Sequence, residues 1–107
     1  MTDFKDRQRG EEAKFVMDEE TAFKIAVRRN RLLGEWAAGL MGLTEEETEA
    51  YKKAVVQADF EEAGDEDVIR KLLGDLTAAD ADVSEADIRA RLDEKAIEAK
   101  RQFMSQS

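Results

Sequence analysis

Residues 23–43 read FKIAVRRNRLLGEWAAGLMGL, and the fold follows from how this stretch distributes its polar groups. At 3.6 residues per turn, Lys24, Arg28, Arg31 and Glu35 fall on one narrow stripe. Phe23, Ile25, Ala26, Val27, Leu32, Leu33, Trp36, Ala37, Leu40 and Met41 take up most of the remaining circumference. A helix apolar over that much of its surface needs cover on several sides, so it is the expected core element. Gly42 is placed to end it, because glycine enters the left-handed conformation of a helix C-terminus without steric cost.

Downstream, Thr44 followed by Glu45, Glu46 and Glu47 has the form of a capping box, with three acids complementing the positive end of the helix dipole. The second helix is expected to run to about residue 63, with Tyr51, Ala54, Val55 and Ala58 inward and Gly64 as its stop. Val56, Phe60 and Ala63 make a second apolar strip on it. Asp65 suits the N-cap of a third helix whose inward set is Val68, Ile69, Leu72, Leu73 and Leu76. The run 77–83, TAADADV, reads as a loop, and Ser84 with Asp87 gives a weaker cap signal. In the fourth helix Ile88, Leu92, Ala96, Ala99 and Phe103 line one face, while Lys95, Lys100 and Arg101 suit its C-terminal end. Short connections imply antiparallel neighbours. The expected fold is therefore all-α, a compact four-helix bundle over residues 21–104 with a loose tail at 105–107.

Ahead of the bundle, residues 1–20 mix acids and bases around Gly10 and offer little large apolar surface beyond Phe4, Phe15, Val16 and Met17. Such a segment buries too little to offset its ordering entropy alone. The expectation is a flexible, partly disordered N-terminal arm that folds on meeting a partner.

Composition narrows function. Of 107 residues, 40% are charged, the net charge is −9 and proline is absent, which suits one soluble helical domain. Nucleic-acid affinity is dominated by phosphate contacts, so this acidic balance argues against DNA or RNA as partner. With no cysteine and no histidine, the chain lacks a thiolate nucleophile, the usual general base near neutral pH and the commonest metal ligand. Asp80, Asp82 and Ser84 start like a calcium loop, but its sixth position is Glu85 and its twelfth Arg91. The pairs Glu45 with Glu49 and Glu61 with Asp65 lack the histidines of a di-metal bundle, and Gly39 and Gly42 make no phosphate loop. A non-enzymatic protein without metal or cofactor is expected. No apolar run approaches the roughly 20 residues that span a bilayer, so a cytoplasmic location without membrane insertion is expected.

Arg28, Arg29 and Arg31 form the one basic cluster of note. Arg28 and Arg31 lie on the polar stripe, whereas Arg29 shares a face with Ile25, Leu32 and Trp36. Arg29 is expected to snorkel or to pair with an acid from another helix. The alternative is a site for an anionic ligand such as an adenine nucleotide, formed by Arg28, Arg29, Arg31 and Trp36, since guanidinium forks suit phosphate.

Two blocks of the chain carry a resemblance. The first is Phe4-x-Asp6-Arg7-x-Arg9, Lys14-Phe15-x-x-Asp18, Phe23-Lys24 and Ala26-x-Arg28-Arg29-Asn30-x-Leu32-Leu33-Gly34-x-Trp36-Ala37-Ala38. The second is Val55-Val56-x-Ala58-Asp59-Phe60-Glu61-Glu62-Ala63-Gly64-Asp65-Glu66-Asp67-Val68-x-Arg70-Lys71. Together they resemble the zeta subunit of the alphaproteobacterial F-type ATP synthase. The resemblance implies a four-helix regulator that inhibits ATP hydrolysis by the catalytic head, with the N-terminal segment as the inhibitory element. Carried over by position, the arm residues are Phe4, Asp6, Arg7, Arg9, Glu12, Lys14, Phe15 and Asp18. Gly10 and Glu11 depart from the family pattern; glycine raises the cost of ordering and Glu11 adds charge, and both work against strong inhibition.

Overall fold

Asp18 fixes where the first helix begins. Its backbone is extended (φ −75°, ψ 172°) and its carboxylate accepts from the Thr21 amide at 2.7 Å, which satisfies one of the unpaired N–H groups of the first turn. In the computed structural model, which describes residues 18–60 and 64–105, four helices follow. They are α1 (Glu19–Met41), α2 (Glu45–Asp59), α3 (Glu66–Ala78) and α4 (Glu85–Ser105). Helix α1 packs mainly against α2 and α4, and α3 closes the bundle between those two, touching α1 more lightly. The expected four-helix bundle is the observed one. The expected arm, apart from its last residues, lies outside the described residues.

The turns obey the local chemistry closely. Gly42 takes φ 70°, and the Leu43 amide donates to the Ala38 carbonyl at 3.1 Å, the Schellman closure. At the start of α2 the capping box is complete: Thr44 Oγ1 accepts from the Glu47 amide at 3.1 Å, and Glu47 accepts from the Thr44 amide at 2.8 Å. Ser84 and Asp87 make the same reciprocal pair at 3.0 and 3.1 Å, so the weaker signal marks an equally formed cap.

Two helix ends and one cap differ from expectation. Helix α2 ends at Asp59, with Phe60 as its C-cap, rather than near residue 63. Helix α3 continues through Ala78, into the run expected as loop, and Asp80 then enters the left-handed region (φ 61°) while the Ala81 amide donates to the Leu76 carbonyl. Aspartate tolerates that conformation better than most residues, so it ends α3 much as Gly42 ends α1. Asp65 precedes α3 but makes no capping hydrogen bond, for a reason given below.

Leu33, Ala37, Val55, Val68, Ile69, Leu72, Leu76, Ile88 and Leu92 form the core, with Trp36, Met41, Tyr51 and Leu73 partly buried against it. Each fully buried aliphatic side chain contributes about 1.5–3 kcal/mol of transfer free energy. Helix α1 differs from its expected picture in one respect: Phe23 and Leu40 are about half exposed, while Asn30, Gly34 and Ala38 are buried. Those three lie four residues apart and form a small-residue seam. A Cβ on Gly34 would come within 2.9 Å of the Lys52 Cα, so glycine is what lets α2 approach this closely.

Candidate functional site

Two features of α1 bear on function: its origin at Asp18 and its arginine cluster. Of the partner-binding residues carried over from the resemblance, Asp18 is the one described; Phe4, Asp6, Arg7, Arg9, Glu12, Lys14 and Phe15 lie outside the described residues. The hydrogen bond from the Thr21 backbone holds the Asp18 carboxyl below the usual aspartate range, so at neutral pH the cap is charged and opposes the positive end of the helix.

The three arginines do not act together. Arg29 is 11% exposed and turns toward the junction of α2 and α3, reaching Asp65 at 3.1 Å and Asp59 at 3.7 Å. Its Nε and Nη2 also donate to Asn30 Oδ1 at 3.0 and 2.8 Å, and Asn30 Nδ2 donates to Asp59 Oδ2 at 3.0 Å. Asn30 is 1% exposed, and this network satisfies both ends of its amide. Arg29 is thus a structural cation that ties the end of α2 and the start of α3 to α1. Asp65 has helical backbone angles (φ −99°, ψ −2°) in place of the extended ones of a capping residue, and its carboxylate reaches Arg29 rather than the first turn of α3.

Arg28 and Arg31 instead line a groove of about 330 Å³ with Lys24, Glu35 and Leu32 of α1, Lys52 of α2 and Gln102 of α4. Neither Arg29 nor Trp36 is among its lining residues, and Trp36 packs against the core. The groove's cations are already engaged: Lys24 with Glu20 at 3.2 Å, Arg28 with Gln102 at 3.4 Å, and Arg31 and Lys52 both with Glu49 at 3.5 and 3.0 Å. The Lys52 hydrogen bond in particular holds the Glu49 carboxyl below its ordinary range. An anion entering here competes with Glu49 and Glu20 across solvent-exposed pairs that are each worth little.

Elsewhere, polar contacts brace helix pairs. Tyr51 donates to Asp75 at 2.7 Å while Lys71 reaches the same carboxylate at 3.0 Å and lies 5.2 Å from the Tyr51 ring centre. Burial, and then the Asp75 carboxylate, push the Tyr51 phenol far above its usual range, so it stays protonated. Arg89 of α4 reaches Glu66 of α3 at 2.9 and 3.2 Å. Among the described residues no group of acids is placed to hold a metal, and no helix is long and apolar enough to cross a membrane.

Sequence reasoning missed Asn30, Asp59, Lys52 and Gln102. Asn30 had a signal available, a polar residue on an otherwise apolar face beside Arg29. The other three had none, because their roles depend on which helix lies opposite.

The family model described as ATPase inhibitor subunit zeta matches residues 1–102. The chain belongs to the ATPase inhibitor subunit zeta family. No curated protein sequence matches it. A protein whose structure was solved by solution NMR is similar at 46% identity with a TM-score of 0.70, over 79% of this chain and 96% of that one. A zeta-family chain has an inhibitory, regulatory role. The matched span includes the segment ahead of Asp18 as well as the bundle.

Proposed function

We propose that this protein binds the F-type ATP synthase and inhibits ATP hydrolysis by inserting the segment ahead of α1, expected at residues 1–20 and bounded by the Asp18 cap, at a subunit interface of the catalytic head. Phe4 and Phe15 are buried there, Asp6, Arg7, Arg9, Glu12 and Lys14 pair with partner charges, and Asp18 marks the point where arm and bundle meet. The observation that carries this reading is the family match, which includes residues 1–17 along with the bundle; the capped start of α1 at Asp18 supports it. Ordering such a segment on binding costs a few kcal/mol of the gross interaction. Anchoring by residues 21–104 offsets part of that by raising effective concentration. The bundle itself has no catalytic part in this scheme.

The test is an ATPase assay of the cognate enzyme with the full chain and with a chain starting at Asp18, which keeps the α1 cap. Inhibition by the full chain, lost on truncation while helicity is retained, supports the arm. Equal inhibition by both sinks it.

A second reading is favoured by the groove around Arg28 and Arg31, where Lys24 and Lys52 add two further cations. It would seat an anionic ligand such as an adenine nucleotide, without Arg29. Nucleotide titration followed by calorimetry checks it; no heat of binding at millimolar ligand, roughly the weak end of specific affinity, removes it.

A further inference from the structure

Phe23 and Phe60 stack on each other across α1 and α2, with ring centres 5.5 Å apart and planes 12° from parallel. Both remain more than half exposed, at 51% and 53%. One exposed aromatic is ordinary; a stacked pair from two helices makes a contiguous apolar surface, small beside the patches that mark interaction sites by size alone, so its placement matters more than its area. The pair is also held in place. Phe60 follows Asp59 directly, and Asp59 is fixed to α1 by Asn30 and Arg29, so a nearly buried polar network sets the end of the helix that presents Phe60.

Its location indicates what covers it. Phe23 lies five residues after Asp18, where the segment 1–17 joins the bundle, and a helical side chain leans toward the helix N-terminus. The outer surface of the stack therefore adjoins the root of the arm, and any partner gripping the arm near residue 17 is brought against it. Charge gives the partner's character. Residues 1–17 hold four acids and four bases, so the net charge of −9 resides entirely in residues 18–107. The exposed acids Asp18, Glu19 and Glu20 stand at the same helix end.

We propose that the stacked Phe23 and Phe60 pair is a second docking surface, received by an apolar recess with basic side chains at its rim on the catalytic head, beside the entry point of the arm. This rests on the arm reading above. It gives the inhibitor two points of attachment, of which the bundle's is preformed and pays no ordering cost.

The test uses full-length chains in the ATPase assay. Phe23→Ser with Phe60→Ser is expected to raise the half-inhibitory concentration about tenfold, with more of the loss at high salt. Phe4→Ser with Phe15→Ser reports on the arm alone. If the arm variant inhibits like the parent, the arm reading fails; if only the stack variant does, the second surface fails and the arm stands. Should the serine pair unfold the bundle, Phe60→Cys supplies a unique thiol in a chain without cysteine. A photocrosslinker there should capture a head subunit. Crosslinking to a second copy, or to residues 1–17 of the same chain, in place of the head overturns the proposal.

Discussion

Arg29 carries its charge into a largely apolar face of α1 and survives there because two carboxylates and an amide meet it. Removing one member of such a network leaves the others unpaired, which costs more than the network contributes when intact. Arg29→Met should lower stability by roughly 2–3 kcal/mol, less than for a fully buried pair because Asp65 is 44% exposed and can regain water. Urea denaturation checks it; a midpoint within error of the parent would show the network to be incidental. Gly34 sets a different limit. Alanine is the better helix former by about 1 kcal/mol, yet its Cβ would meet backbone at 2.9 Å, and overpacking costs about 1–3 kcal/mol. Gly34→Ala should therefore lower the melting temperature, and a rise would mean that α2 yields without cost.

At the scale of elements, helix ends account for most of the agreement between sequence and structure, and they also carry a pH dependence. The Ser84 backbone hydrogen bond holds the Asp87 carboxyl below its ordinary value of 3.8, and Arg89 does the same for Glu66 relative to 4.5. A folded pKa below the unfolded one contributes stability that is fully present above the unfolded value and is lost as pH falls through it toward the folded value. Asp87→Asn mimics the protonated cap, so it should be less stable than the parent at pH 7, with the gap closing below about pH 3.8. Denaturation midpoints at pH 7 and pH 3 decide the matter; a gap that widened in acid would contradict the sign. What misled the reading of α3 was the TAADADV run. Its small residues look like loop, but helical hydrogen bonding extends through Ala78 before Asp80 turns the chain.

For the whole molecule, the proposed division of labour between arm and bundle predicts independent stability. Among the described residues, every buried apolar side chain lies between Leu33 and Ala99, and a chain beginning at Asp18 should melt within about 2 °C of the full chain, a shift worth less than roughly 0.5 kcal/mol. A larger drop would mean that the arm is part of the fold. The absence of histidine adds a second expectation: no change in oligomeric state between about pH 6 and 8 that originates in this chain's side chains. Sedimentation across that range tests it.

Helix number, the turn after α1, the caps of α2 and α4 and most of the inward faces were determined by the sequence itself, because 3.6-residue periodicity, caps and glycine stops act over one or two turns and need no knowledge of neighbours. Leu33, Val55, Leu72 and Ile88 were readable as core for that reason. The arginine cluster was not readable in the same way. Adjacent positions on one helix point 100° apart, so Arg28 and Arg31 enter one groove while Arg29 meets Asp59 and Asp65 at the far end of another helix pair. Which side chain becomes structural and which stays available depends on what lies opposite. Only the packing of α2, α3 and α4 around α1 decides that, and only it brings Phe60 onto Phe23 at the foot of the arm.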